Sequence, residues 1–315
     1  MSADRQCTDT VFVVRPCRFQ ANPETAASNA FQAQAPWQDL ARSNALAQQQ
    51  FDGLVATLEA TGVRCLVFED SPEPHTPDSI FPNNWITTHA DGSVVLFPME
   101  APSRRGERRG DIVEALSKTH GFEVARVVDL SPAEDEGRFL EGTGSLVLDR
   151  VNRVAYACRA SRTDAQVLEA FANEMGYTPL LFDGADADGQ PIYHTNVMMW
   201  LGTTLAGVCL AALGDADRER VLAALEASGH EVIDLAFTQL EAFAGNMLEL
   251  VAQDGSPVMA MSQQAFEALT DAQRAQLEAH ARLAVCPIDH IETQSGGSVR
   301  CMLAEVHLPR VQALQ

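Results

Sequence analysis

Residues 295–310 read SGGSVRCMLAEVHLPR, a glycine pair followed by an apolar run close to the end of the chain. Taken alone, the run is one β-strand with a cysteine, Cys301, inside it, and nothing after it completes a sheet. The missing partners stand at the other end of the sequence. There TDTVFVVRP (8–16) has the composition of a strand, residues 39–61 the periodicity of a helix, and VRCLVFED (63–70) that of a closing strand.

The same unit is written four more times without a split. After Asn84 come WITTH, a DG turn, SVVLFPM, a helix-like segment near 106–120 and FEVARVVDL. After Glu141 come GTGSLVLD, a turn, RVAYACRA, a helix around 163–175 and YTPLLFD. After His194 come TNVMMWL, a GT turn, TLAGVCLAAL, the helix DADRERVLAALEASG and HEVIDL. After Ala244 come GNMLELVAQ, a DG turn, SPVMAMS, helices to about 281 and RLAVCPI. The unit is strand, tight turn, strand, helix, strand, at a spacing of roughly 50–60 residues, in the range of propellers and solenoids. A solenoid needs distinct capping repeats, whereas one unit shared between the termini predicts a closed ring. A length of 315 residues would by itself suggest two domains. The repeat predicts one instead: a single α/β domain over 1–315, a five-bladed pseudo-symmetric α/β propeller.

In such a ring the first strand of each unit lines the axis, and residues at the strand starts meet. Those positions hold Asn83 and Asn84, Glu141, His194, Asn246 and Cys301. A lone strand cysteine is ordinarily a small buried hydrophobe, a lone histidine a satisfied core residue, a lone glutamate a turn cap. A thiol, an imidazole and a carboxylate at one structural position point instead to nucleophilic catalysis. The thiol needs a nearby base to become a thiolate, and the imidazole moves protons near neutral pH.

Acidic residues outnumber basic ones 43 to 22, a net charge of −21. That balance excludes a nucleic-acid partner, which needs a basic footprint, and disfavours an anionic membrane surface. MSADRQCTDT at the start has neither the basic nor the apolar segment of a leader, and no run approaches a membrane span. The seven cysteines are scattered and never spaced C-x-x-C, so no disulfide framework or zinc site is expected. A cytoplasmic protein follows from these readings. No G-x-G-x-x-G after a strand, no P-loop and no G-x-S-x-G occurs, so no cofactor is expected. DGADADGQP (183–191) lacks the spacing of a calcium loop. Asp289 and His290 lack a second histidine at ligand spacing, so no metal is expected.

Six motifs occur in order: TPDSIF (76–81), APSRR (101–105), FLEGTGS (139–145), SRTD (161–164), YHTNV (193–197) and GGSVRC (296–301). With them the chain resembles, over most of its length, the pentein or guanidino-group-modifying superfamily. That superfamily holds arginine deiminases, dimethylarginine hydrolases and amidinotransferases, and the nearest flavour is the arginine deiminase-related group associated with citrulline use. The resemblance implies a five-bladed propeller with a central cysteine–histidine–carboxylate site. Cys301 would be the nucleophile, His194 the general acid/base, and Glu141 the group that grips the reacting nitrogens and orients the histidine. Asp78 would hold a substrate α-amino group. Arg104 and Arg162 would clamp the α-carboxylate, a task suited to the guanidinium fork. Arg104 alone, followed by Arg105, Arg108 and Arg109, also reads as a solvated run.

The chain departs from the pattern at three positions. Dimethylarginine hydrolases carry Glu-Asp facing the guanidinium where this chain has Asn83 and Asn84. Deiminases and amidinotransferases carry an aspartate where it has Asn196. An ion pair at about 4 Å is worth roughly 4 kcal/mol at an effective dielectric near 20. Its loss penalises a cationic guanidinium more than a neutral ureido group. The expected partner is therefore a small amino acid of citrulline or arginine type, with a homodimer left open. The expected reaction is cofactor-free hydrolysis of citrulline to ornithine, carbon dioxide and ammonia through a thioester. Glu141 keeps arginine deiminase, dihydrolase or dimethylarginine hydrolase activity open, with amidinotransfer behind them. The non-enzyme alternative is a binding protein of the same ring, such as a ribosome anti-association factor without a catalytic cysteine.

Overall fold

The computed structural model describes residues 4–26, 29, 31–32 and 37–311. The leader reading at residues 1–3, and the last four residues of the 1–315 domain range, fall outside the described residues.

Five three-stranded sheets carry the chain. The first holds β1 (Thr10–Arg15) and β2 (Arg64–Glu69), parallel and joined through helix α1 (Leu40–Ala60). The second is β3 (Ile86–Thr88), β4 (Ser93–Leu96) and β5 (Arg126–Asp129), with α2 (Gly110–Lys118) in the crossover. The third is β6 (Leu146–Asp149), β7 (Val154–Cys158) and β8 (Thr178–Phe182), with α3 (Ala165–Met175). The fourth is β9 (Met199–Leu201), β10 (Leu205–Val208) and β11 (Glu231–Asp234), with α4 (Asp215–Ala227). The fifth is β12 (Leu248–Val251), β13 (Pro257–Ser262) and β14 (Arg282–Cys286), with α5 (Asp271–His280). Finally β15 (Ala304–Glu305) returns to the first sheet, antiparallel to β1, with Val11 opposite Glu305 and Phe12 opposite Ala304. In every sheet the inner strand runs antiparallel to the middle one, and the middle one parallel to the outer.

Local chemistry explains these elements. β1 is a continuous apolar run because both of its faces are covered: Val11, Phe12, Val13 and Val14 are all buried. α1 buries Ser43, Ala47, Phe51, Leu54 and Leu58, spaced by three or four residues, so one stripe faces its sheet. Truncating the fully buried Phe51 to alanine costs about 3–5 kcal/mol. α3 starts at Asp164, whose side chain accepts from the amides of Gln166 and Val167, and stops at Gly176, with φ of 70°.

The sheets follow one another around an axis. β15 packs on β3, the turn at 142–145 on the turn at 82–84, β6 on β9, β9 on β12, and α1 on β14. The fifth sheet thereby meets the first, and the N-terminal segment ties them together. The Thr8 hydroxyl donates to the Val306 carbonyl at 2.6 Å, and the Val251 amide to the Thr8 carbonyl at 3.0 Å. The expected five-bladed α/β propeller is the fold.

One local expectation needs correcting. Cys301 is not within a strand but within a single helical turn, Val299–Met302, and β15 is only two residues long. The same device precedes other inner strands, at Pro82–Asn84, Gly142–Ser145 and Thr195–Met198. A helical turn satisfies backbone groups internally, as the Cys301 amide does by donating to the Ser298 carbonyl at 3.0 Å.

Candidate active site

At the end of the ring where these turns gather, a narrow cavity is bordered by Asp78, Asn84, Arg104, Arg162, His194 and Cys301. Thr25 and Asn29 from the N-terminal segment, Phe81, Tyr193, Ser295 and the Gly296–Gly297 pair complete its wall. Glu141 and Asn196 stand behind that wall and reach it through His194 and Cys301. Asn83 turns elsewhere, donating to the Thr143 hydroxyl at 3.3 Å, and does not border the cavity.

Glu141 immediately precedes the turn at 142–145 and is wholly buried. Its Oε1 accepts from the Glu100 amide at 3.0 Å; its Oε2 lies 2.9 Å from His194 Nε2 and 3.5 Å from Arg162 Nη1. Arg104 Nη1 is 3.7 Å away. Burial alone would raise the Glu141 pKa. Arg162, the His194 hydrogen bond and Arg104 outweigh it and hold the carboxyl well below the usual carboxylate range.

His194 immediately precedes the next turn, at 195–198. Burial pushes its pKa down to about 4, aided by Arg162 and Arg104 and opposed by Glu141. The imidazole is therefore neutral at neutral pH. Because the ionised Glu141 can only accept, Nε2 carries the hydrogen and Nδ1 keeps the lone pair. Gly144 leaves the room this ring needs: a Cβ there would lie 2.8 Å from Nδ1 and 2.5 Å from Asn84 Nδ2.

Cys301 is 4% exposed, and its sulfur faces two amides, Asn246 Nδ2 at 3.2 Å and Asn196 Nδ2 at 3.5 Å. Asn84 Oδ1 accepts from Arg104 Nη1 at 2.8 Å. Its Nδ2 is buried and, among the described residues, has no hydrogen-bond partner.

The two arginines differ in setting. Arg104 is buried, with Nε and Nη2 each 2.9 Å from Glu107 and Nη2 also donating to the Phe81 carbonyl. Burial opposes its charge, but Glu107, Asp78 and Glu141 prevail and push its pKa up. Arg162 donates to Glu100 at 3.3 Å, to Glu141 and to the Thr25 carbonyl, with its guanidinium 5.1 Å from the Tyr193 ring centre. Asp78 accepts from Asn22 Nδ2 at 2.8 Å. Burial raises its pKa, with Arg104, Asn22 and Arg162 pulling the other way.

Sequence reasoning did not assign Asn246, Glu107 or Glu100 to the site. Asn246 was visible as the residue at the start of its inner strand. Glu107 stands three residues after Arg104, but nothing in the sequence marks it as buried. Among the described residues no group of three or more His, Cys, Asp and Glu side chains could hold a metal ion, and no helix is long and apolar enough to cross a membrane.

A family model described as N,N dimethylarginine dimethylhydrolase, eukaryotic, matches residues 15–308. No curated protein matches the sequence. Among solved structures, the chain is similar to the N-terminal domain of ArgZ, an arginine dihydrolase from the ornithine-ammonia cycle in cyanobacteria, in a cysteine-to-serine mutant bound to substrate. The TM-score is 0.72 at 16% identity, covering 96% of this chain and 99% of that one. It is similar to AgrE in a binary complex of an alanine mutant with L-arginine, with TM-score 0.72, 17% identity and 96% of this chain covered; the match spans only 40% of AgrE. A third likeness is to a dimethylarginine hydrolase from Pseudomonas aeruginosa complexed with citrulline, with TM-score 0.62, 14% identity, and 95% and 99% of the two chains covered. At these identities the structural likenesses carry the fold.

Proposed function

The chain belongs to the N,N dimethylarginine dimethylhydrolase family, and on that premise we propose that it hydrolyses the ureido group of citrulline to ornithine, carbon dioxide and ammonia. The observation that carries the substrate is the Asn84 amide. A guanidinium has no acceptor, so the Asn84 atom facing Arg104 is oxygen, and Nδ2 turns away as a buried donor without a partner. Leaving such a donor unpaired costs about 1–3 kcal/mol. A ureido oxygen accepts from it; a substrate guanidinium, which offers only N–H groups, does not.

The proposed chemistry uses the chain's own groups. The Cys301 sulfur attacks the ureido carbon, and the carbonyl oxygen takes up the electron pair. Collapse breaks the bond to the ornithine side-chain nitrogen. His194 gives that nitrogen the proton it took from the thiol, leaving a carbamoyl thioester. Water, deprotonated at His194 Nδ1, then attacks the same carbon and expels the sulfur, and the carbamate falls to carbon dioxide and ammonia. Glu141 holds the imidazole tautomer. Arg162 and Asp78 receive the carboxylate and amino group of the substrate, while Arg104, committed to Glu107 and Asn84, sets the polarity of the Asn84 amide. A single catalytic domain over 1–315 acting in the cytoplasm is part of the same proposal.

Arginine is the second reading, favoured by the ionised carboxylate of Glu141 beside the cavity. Incubation with citrulline and arginine separately, with ornithine and ammonia assayed, decides between them. Citrulline is expected to give the higher kcat/KM, and Asn84→Asp to move preference toward arginine. A wild type that prefers arginine, with Asn84→Asp no more arginine-selective from pH 6 to 9, overturns the ureido reading.

A further inference from the structure

We propose that Asn246 is a catalytic residue: a fixed amide donor that holds the Cys301 sulfur and stabilises its anion. The inference rests on the cysteine-hydrolase reading above and adds a group that reading does not use.

The amide polarity is set by geometry. Asn246 Nδ2 lies 2.9 Å from the backbone carbonyl of Asn196 and 3.2 Å from Cys301 Sγ. A carbonyl oxygen only accepts, so the edge facing it is the NH2 group, and the second N–H points at the sulfur. Oδ1 is left buried and, among the described residues, without a partner. The opposite flip would set Oδ1 against the Asn196 carbonyl and an acceptor against the sulfur. The backbone is pinned as well: a Cβ on Gly245 would lie 2.0 Å from the Val197 carbonyl oxygen, so the chain passes too closely there for any other residue. Asn246 itself is buried.

A neutral thiol is a weak acceptor, whereas a thiolate forms a charge-assisted bond. The donor therefore favours the reactive form and does not titrate itself. Asn196 Nδ2, at 3.5 Å, is a weaker second donor. Among the described residues the sulfur's side-chain hydrogen bonds run to these two asparagines, and in one of them, at 3.9 Å, the thiol donates to Asn196 Oδ1. Asn246 does not border the cavity, so its contribution falls on kcat and not on KM.

The test is the rate of Cys301 alkylation by iodoacetamide from pH 6 to 10 in wild type, Asn246→Ala, Asn246→Ser and Asn246→Asp, each checked by thermal unfolding. With one bond to an anion lost, labelling of Asn246→Ala at pH 7 is expected to slow about tenfold or more. The gap should narrow as the pH rises toward 10. kcat should fall in parallel while KM stays near the wild-type value. Asn246→Ser, whose shorter hydroxyl still donates, is expected between wild type and alanine, and Asn246→Asp, which sets an acceptor against the sulfur, below alanine. Superimposable labelling profiles in whichever of these variants fold, or a serine variant no better than aspartate, overturn the assignment. A wild type whose Cys301 is no more reactive than the other six cysteines would instead bring down the cysteine-hydrolase reading itself.

Discussion

Glu141 and Glu305 stand at opposite ends of the inner strands. Glu141 precedes β6, while Arg150, which follows β6, reaches Glu305 at the end of β15. Each glutamate has one histidine and two arginines around it. His194, Arg162 and Arg104 lie 2.9, 3.5 and 3.7 Å from Glu141. His307, Arg300 and Arg150 lie 3.0, 2.6 and 3.6 Å from Glu305. Both carboxyls are held well below their ordinary range: burial opposes this, and the neighbouring cations override it. The difference is in what stands at the cavity beside each. Around Glu305 the bonds close on each other and on the carbonyls of Leu303 and Thr88. The cavity that Glu305, Arg150 and Arg300 border also meets Trp200, whose buried Nε1 is unpaired, but among the described residues no cysteine or histidine lines it. Around Glu141 a thiol and an imidazole border the cavity, beside Asn84 with its unpaired Nδ2. A buried glutamate–histidine–arginine cluster is thus a structural solution the ring uses twice, and the thiol and imidazole distinguish the candidate site.

The largest effect expected from this difference is in Cys301→Ala, whose turnover should fall by about four orders of magnitude or more with the unfolding transition retained. Ordinary activity in that variant would reduce the Glu141 end to a second structural cluster. Next comes a matched pair. Glu141→Gln should lose about a thousandfold in kcat, since it no longer fixes the imidazole tautomer. Glu305→Gln should leave kcat close to wild type, yet lose about 3–5 kcal/mol of stability in urea, because Arg150 and Arg300 would be left buried without their anion. A folded Glu305→Gln protein that has lost turnover would break the comparison.

How much of this was legible in the sequence differs between fold and site. The sheets could be read because each unit is marked by β-rich runs, a turn and an amphipathic helix. The axial turns could not, since three or four residues carry no periodicity to detect. That limit also explains the asparagine pair. Asn83 and Asn84 are neighbours in a three-residue 3-10 turn, where successive side chains point about 120° apart, so only one can face the cavity. Nothing in FPNNW says which. The arginine run shows the same blindness to burial: Arg104 is enclosed by carboxylates, while Arg105 and Arg108 pair with Glu134 nearer the surface.

The smallest expected effect uses the two histidines as matched probes. His194 and His307 are each pushed down to about 4, by burial first and neighbouring arginines after it, against the pull of their glutamates. Unfolded, each titrates near 6.5. As pH falls from about 6.5 toward 4, the unfolded chain binds protons that the folded one refuses, so stability is full above that window and lost through it. The linkage amounts to about 2 kcal/mol per histidine between pH 7 and 5. The paired carboxylates add to the loss only below their ordinary range, near 4.5. His89, His120 and His290, also pushed down by burial, and Asp78, Glu107 and Glu292, raised by burial (Glu107 to about 8, Glu292 to about 7) and acting in the opposite sense, are common to wild type and variants and cancel in the differences. His307→Gln should therefore flatten the acid loss of stability by one histidine's share and leave the pH profile of kcat/KM where it was. His194→Gln should flatten the loss by a similar amount and abolish turnover. Chemical denaturation at pH 7, 6 and 5 beside the kcat/KM profile reads both. If His307→Gln shifted the acid limb of kcat/KM, the far cluster would be coupled to the chemistry, and the two ends of the ring would no longer be separable.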